Sequence, residues 1–263
     1  MSVLVLEKGH VADNFLSRIP LLSQNYDFPF LQSRSRLSEP VEAKAGGRLR
    51  LWSAEALGGA TRINAMLVTR GVPAGYIDWA ENYGLDDWGW EQVEPYFRKC
   101  EKAVAHPDAS HRGHDGPIEI RQPKSVFTSF TYLEKAARAV GLPVSNDSND
   151  PNGPAQGYFY LDTAVDDRGR RISAYNAWLG RKLAMDRRDH LAICTGVVAS
   201  KLQIDGEGDG KHVSGVHIQR SRPGRWRRRS HKQAQTFYVH ARREVIVCSG
   251  TLSTPQLLML RYV

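Results

Sequence analysis

The segment Leu57-Gly58-Gly59-Ala60-Thr61-Arg62-Ile63-Asn64-Ala65-Met66 is where this chain most legibly could do chemistry. Two adjacent glycines remove the Cβ atoms that would hold a backbone away from a flat ligand, and their free dihedrals permit a tight entry turn. Read by spacing alone, the same residues also describe a plain glycine turn between a strand and a helix. Near the amino end, the apolar run Val3 to Leu6 closes on Glu7. In dinucleotide-binding folds such a carboxylate accepts hydrogen bonds from ribose hydroxyls, about 20 residues past a glycine fingerprint. Only six residues precede Glu7, too few for that fingerprint and its helix, so the run taken alone is an ordinary strand end.

Other constellations point less far. His106, His111, His114 and Asp115 gather in one loop but match no standard zinc spacing, so no metal site is expected. Gly206-Glu207-Gly208-Asp209-Gly210-Lys211 lacks the register of a phosphate loop, and its acids would repel phosphate, which leaves a β-turn. Ser249 sits in no nucleophile elbow. The net charge of +8 is local: Arg220 to Lys232 holds seven basic residues and no acid, leaving 29 basic against 28 acidic elsewhere. That segment lies between two strand-like runs and reads as a solvated hairpin excursion, not a nucleic-acid surface.

The order of motifs around the ribbon carries more. Gly47-Arg48-Leu49-Arg50-Leu51-Trp52 precedes it; Thr69-Arg70-Gly71, Tyr76-Ile77-Asp78-Trp79-Ala80, Trp88-Gly89-Trp90 and Glu94-Pro95-Tyr96-Phe97 follow. Further on come Arg112-Gly113-His114-Asp115-Gly116-Pro117, Gly169-Arg170-Arg171-Ile172-Ser173-Ala174, and the run Arg243 to Leu260 with Cys248-Ser249-Gly250-Thr251-Leu252-Ser253-Thr254-Pro255-Gln256. This succession resembles the glucose-methanol-choline (GMC) family of flavin-dependent oxidoreductases, with a spelling similar to fungal aryl-alcohol-oxidase-like members. The resemblance implies FAD as cofactor and a small-molecule alcohol as substrate, its hydride passing to the flavin to give an aldehyde or ketone. It implies cofactor contacts at Glu7, at Gly58, Gly59, Ala60 and Thr61, at Asn64, Ala65, Met66 and Leu67, at Ala199 (the last residue of Thr195-Gly196-Val197-Val198-Ala199, through its backbone) and at Gly250.

Some positions depart from the family pattern. Ile63 and Asn64 stand where certain members carry a flavin-linking His, so no covalent link is expected; Ala60 replaces a common Ser. Arg62 replaces a small residue, and either a phosphate or a carboxylate such as Glu55 could be its partner. No residue matches the family's catalytic His or its His/Asn partner, so none is assigned as catalytic. The sequence thus reads as cut at both ends and, as written, inactive. The alternative is a non-catalytic binding or interaction protein on a degenerate flavoprotein scaffold.

The elements that must position these residues follow from pattern. Hydrophobic residues at 41% and charged ones at 24% fit an ordinary soluble globular chain, and no apolar stretch approaches the roughly 18 residues of a membrane helix. The expected class is mixed α/β (α+β): an incomplete FAD-binding Rossmann-like domain with part of a GMC substrate-binding domain. Residues 1–117 and 186–263 are read as FAD-binding and 118–185 as substrate-binding. Residues 11–45, rich in Pro and Ser, predict irregular chain. Helices are expected over 90–104, 126–140 and 173–183, and a loop over 146–157. Strands are expected at 118–120, 158–161, 191–195, 199–204, 213–218, 237–240 and 245–248. Cys100, Cys194 and Cys248, with no paired spacing, predict buried free thiols.

Overall fold

A computed structural model describes residues 1–11, 13–23, 33–42, 46–123, 128–221 and 235–260. In chain order they form β1 (Val3–Glu7), α1 (Phe15–Arg18), α2 (Pro20–Ser23), β2 (Ser33–Pro40), β3 (Arg48–Ala54) and a 3-10 turn at Gly59–Arg62. Then come α3 (Pro73–Tyr83), α4 (Trp90–Cys100), β4 (Glu101–Ala103), β5 (Ile118–Arg121), α5 (Ser129–Ala139), β6 (Val144–Ser145), β7 (Tyr158–Phe159) and β8 (Thr163–Ala164). A π-helical turn at Tyr175–Leu179 leads to α6 (Arg181–Asp186), β9 (Leu191–Thr195), β10 (Val197–Asp205), β11 (His212–Arg220), β12 (Thr236–His240) and α7 (Gly250–Met259). The mixture is the α/β class the pattern predicts, and it packs as two units.

The first unit comprises Met1–Asn14, Asn25–Ile63 and Leu179–Val263. In it β1 pairs in parallel with β9, from Val3 opposite Leu191 to Glu7 opposite Thr195. A second sheet runs β10-β11-β12, antiparallel throughout, and β2 and β3 form a separate antiparallel pair. The core gathers where β-branched alternation and one helix meet: Leu202, Val216 and Ile218 from the sheet with Leu257 of α7, flanked by Leu6, Ala199, Val245 and Val247. Full burial of a side chain such as Leu257 contributes about 1.5–3 kcal/mol.

The second unit comprises Phe15–Gln24 and Asn64–Trp178. β4 runs parallel to β5, and β5 pairs antiparallel with β8, so the chain on either side of residue 117 is hydrogen-bonded into one sheet. α3 starts at Pro73, whose fixed φ suits the first turn, and stops at Gly84 with φ 64°. Tyr76 of α3 packs among Trp79, Trp90 and Phe97, with ring centroids 5.3, 5.6 and 5.9 Å away.

Several expectations need correction. Residues 33–40 are a strand, because backbone pairing with β3 satisfies a polar, Ser-rich segment that lacks an apolar signal. The helix from Trp90 ends at Cys100; Glu101 to Ala103 turn into β4, where the Glu101 side chain is held by two arginines. The helix expected over 173–183 is broken by Gly180, whose φ −51° and ψ 146° are extended, into a π-turn and α6. Only Tyr158–Phe159 of the run 158–161 is strand. Val245–Cys248 has no ladder partner among the described residues, although Val245 and Val247 pack on the core while Ile246 and Cys248 face outward. Cys248 is therefore exposed, and Cys100 and Cys194 are only half-buried, where burial of all three was expected; all three thiols are free. Of the helix over 126–140, residues 126 and 127 lie outside the described residues, as do 222–234 of the basic segment; β11 and β12 on its flanks pair as a hairpin would. No helix among the described residues is long and apolar enough to cross a membrane.

Candidate functional site

The first unit brings the end of β1 against the start of the glycine ribbon. Leu57 N–H donates to His10 O at 2.9 Å, and Gly196 N–H donates to Gly9 O at 2.8 Å. The approach is so close that a Cβ on Gly9 would lie 1.7 Å from the Glu55 carbonyl oxygen, so position 9 admits only glycine. The Glu7 carboxylate accepts Gly9 N–H at 2.7 Å. Burial raises its pKa above the ordinary carboxylate value, the Gly9 N–H opposing and the nearby Glu55 adding to the rise.

Ala56 and Leu57 are buried, and the chain then turns through Gly58 at φ 100° and Gly59 at φ 56°. Both values lie in the left-handed region that side chains disfavour. Thr61 Oγ1 donates to Gly58 O at 2.6 Å, closing the 3-10 turn. Above Gly59 the space is open: a Cβ there would meet nothing within 4 Å. Ala60 is exposed, and Arg62, 3% exposed, pairs with Asp13 at 3.1 Å. Glu55, the carboxylate named as a possible partner, is held instead by Lys8 at 2.6 Å and Arg34 at 3.5 Å.

Ala199 stands at a β-bulge of edge strand β10: it faces Ile218, but Lys201 already faces His217, so one residue is extra. Gly250 opens α7 with φ 84°, and a Cβ on it too would meet nothing within 4 Å. Leu6, Ala199, Val245 and Val247 line one hydrophobic cluster, so the ends of β1 and β10 and the segment leading to Gly250 share a support.

In the second unit, Asn64 Oδ1 accepts Met66 N–H at 3.1 Å, and Met66 takes φ 62°, the one non-glycine with positive φ among the described residues. Met66 is buried, whereas Asn64, Ala65 and Leu67 are exposed. The stretch is tied down by Ala164 N–H to Met66 O at 2.9 Å and Val68 N–H to Asp162 O at 3.0 Å. Arg171, 2% exposed, donates to Asn64 Oδ1 at 2.7 Å and Asn64 O at 2.6 Å. Asn149 bridges Val68 O at 3.0 Å and Arg70 N–H at 2.7 Å. Neither Arg171 nor Asn149 was singled out as a site residue, since both reach the ribbon from more than 75 positions away.

The loop histidines divide. His114 is exposed, while His106 and His111 join a buried charge network around Arg112, whose side chain is 0% exposed. Arg112 donates to Glu101 at 2.9 Å, Asp147 at 2.8 Å and Asp162 at 2.9 Å; Arg70 also contacts Glu101. His106 Nε2 lies 2.9 Å from Asp162 Oδ1, and His111 Nε2 lies 2.9 Å from Asp147 Oδ2. Donor atoms of His106, Asp147 and Asp162 fall within 4.8 Å of one another, a span a cation could occupy. The Arg112 guanidinium already bridges both carboxylates, and its positive charge opposes a metal there. Two arginines against three carboxylates leave one negative charge, which favours the protonated form of the His106 imidazole beside Asp162. Accordingly the Asp162 hydrogen bond raises the His106 pKa against the opposing effect of burial.

In the first unit the residues present fit a flavin dinucleotide in kind, with a partly desolvated carboxylate as hydroxyl acceptor and left-handed glycines under open space; the second unit by itself presents an exposed turn whose backbone is braced from behind. Lys8 and Arg62 face carboxylates, so phosphate charge would be met chiefly by backbone N–H groups.

Comparison with known proteins bears on this arrangement. An oxygen-dependent choline dehydrogenase of Burkholderia pseudomallei is 34% identical over 98% of this chain and 42% of its own length. Pyridoxine 4-oxidase from Mesorbium loti superposes with a TM-score of 0.80 at 25% identity, over 98% of this chain and 46% of that one. An FAD-dependent oxidoreductase from Chaetomium thermophilum gives a TM-score of 0.81 at 26% identity, over 99% and 43%. A fungal aryl-alcohol oxidase, at 18% identity and a TM-score of 0.74, shares the fold. The chain spans less than half the length of these relatives. The family model described as GMC oxidoreductase matches residues 9–261, which covers the glycine ribbon, the bulged strand and the turn into α7 alike, and the chain belongs to that family of FAD-dependent oxidoreductases.

Proposed function

We propose that this chain supplies the FAD-covering part of an oxidoreductase acting on the CH–OH group of a small alcohol. The observation that carries the reading is the close crossing at Gly9, which sets the half-buried Glu7 carboxylate beside the start of the ribbon. In this proposal Glu7 accepts hydrogen bonds from the ribose hydroxyls. The backbones of Gly58, Gly59, Ala60 and Thr61 lie along the pyrophosphate and the ring, and Asn64, Ala65, Met66 and Leu67 cover the flavin. Ala199 offers backbone groups to adenine at its bulge, and Gly250 lets the helix end approach. FAD, when bound, accepts the hydride released as the alcohol becomes an aldehyde or ketone. Relatives named for choline and for pyridoxine, both hydroxyl compounds, support the substrate class. Residues 1–117 and 186–263 are assigned to cofactor binding and 118–185 to the substrate side; the packing unit from Asn64 to Trp178 crosses that functional line.

No residue of these 263 matches the family's proton-accepting His. The loss of a general base costs about 10²–10⁴-fold, so we assign the isolated chain no appreciable turnover. The test is the purified chain with added FAD. A retained flavin band at about 450 nm, not bleached by primary alcohols without oxygen, is the expected result. A folded chain that is colourless once unbound FAD has been removed by gel filtration would refute the reading and favour an interaction scaffold.

A further inference from the structure

We infer that Arg171 is a positioning residue that clamps the flavin-covering turn at Asn64 and fixes which way the Asn64 amide faces. The inference rests on the functional reading above for Asn64 to Leu67. It adds a role for the Gly169 to Ala174 motif, which the cofactor contacts leave unused.

The geometry is a fork. Nη1 donates to Asn64 Oδ1 at 2.7 Å and Nη2 to Asn64 O at 2.6 Å, two charge-assisted bonds from one buried, planar guanidinium. Oδ1 also accepts Met66 N–H, so this oxygen is engaged twice and the amide cannot flip without losing both bonds. Among the described residues none accepts from Asn64 Nδ2, and Asn64 is exposed, so its two N–H groups remain to donate to a ligand acceptor. The clamp itself is braced. Arg171 N–H donates to Arg18 O at 2.9 Å, and Ile172 N–H donates to Ala164 O at 3.0 Å, while Ala164 N–H holds Met66 O. Removing Arg171 takes away both charge-assisted bonds to Asn64, whose Oδ1 holds the Met66 amide in its left-handed conformation, a strain of order 1–3 kcal/mol.

Three variants of the 263-residue chain test this, read by hydrogen exchange and by FAD titration. In Arg171→Ala, the Met66 amide should exchange at least about tenfold faster while the β4 amide of Ala103 keeps its protection, and the FAD Kd should rise about tenfold or more. Arg171→Lys, which keeps the charge but not the fork, should fall between and guards against a misfolded alanine variant. Asn64→Asp preserves both acceptors for Arg171 but removes the Nδ2 donors, so exchange at Met66 should stay slow while FAD affinity falls. Unchanged exchange in both Arg171 variants would overturn the clamp. Faster exchange with unchanged FAD affinity and flavin spectrum would overturn its role toward the cofactor. A wild-type chain that binds no FAD would refute the functional reading instead, and exchange would then decide the clamp alone.

Discussion

Arg112→Ala should be the costliest single substitution in the second unit. The side chain is 0% exposed and holds Glu101 at 5% and Asp162 at 0% exposure, with a further contact to Asp147 at 12%. Burial lowers the pKa of this guanidinium, but the hydrogen bond and charge of Glu101, the hydrogen bond to Asp162 and the charge of Asp147 outweigh it and raise the pKa, so it stays charged. Truncation therefore leaves buried carboxylates short of a cation, at about 3–5 kcal/mol for a broken buried pair. Against a total stability of about 5–15 kcal/mol that is a large fraction. With a urea slope of about 2–3 kcal/mol/M the unfolding midpoint should fall by about 1–2 M. Trp79, Trp88, Trp90 and Trp178 all lie in this unit, so tryptophan fluorescence reports it directly. The control is Arg138→Ala, whose i,i+4 pair with Glu134 is 62% exposed on the arginine side and should leave the midpoint nearly unchanged. Adding Asp162→Asn to Arg112→Met should recover part of the loss, because it removes one of the stranded charges. An Arg112→Ala midpoint no lower than that of Arg138→Ala would refute the network as a stabilising element.

The same network predicts a pH dependence. The His106 pKa is raised from 6.5, so its contribution is fully present below 6.5 and is lost as pH rises through the higher folded value; urea midpoints should show that decline, and His106→Gln should abolish it. Asp147, whose lowered pKa reflects the His111, Asn149 and Arg112 contacts outweighing burial, gives the opposite limb: its contribution, present above 3.8, disappears as pH falls through the depressed value. Gly9→Ala should cost about 3 kcal/mol or more because its Cβ meets the Glu55 carbonyl, whereas Gly75→Ala in α3, with nothing within 4 Å, should stabilise by about 0.5–1 kcal/mol in thermal melts. Glu7→Gln removes a carboxylate that burial already disfavours in its ionised form, so the chain without FAD should be at least as stable at neutral pH. Its FAD affinity should nevertheless fall about tenfold by titration, and loss of stability without loss of affinity would contradict the ribose role.

The sequence by itself determined the family, the mixed class and the cofactor, because those are written in local features: paired glycines, a strand closing on an acid, and motifs in fixed order. Backbone demands of that kind are met by single residue types, so they survive as spelling. It did not determine who holds whom. Arg62 was open between a phosphate and Glu55, and packing gave it Asp13, 49 positions away, while Lys8 took Glu55. Arg171 lies 107 positions from Asn64, and the carboxylates around Arg112 come from residues 101, 147 and 162; no periodicity links them. Helix 90–104 shows the same limit at an element boundary: the apolar spacing runs on through Val104, yet Glu101 leaves the helix because its buried carboxylate gains two arginine partners in β4. A buried charge must find its counter-charge wherever the fold brings one, and only the tertiary structure decides where that is.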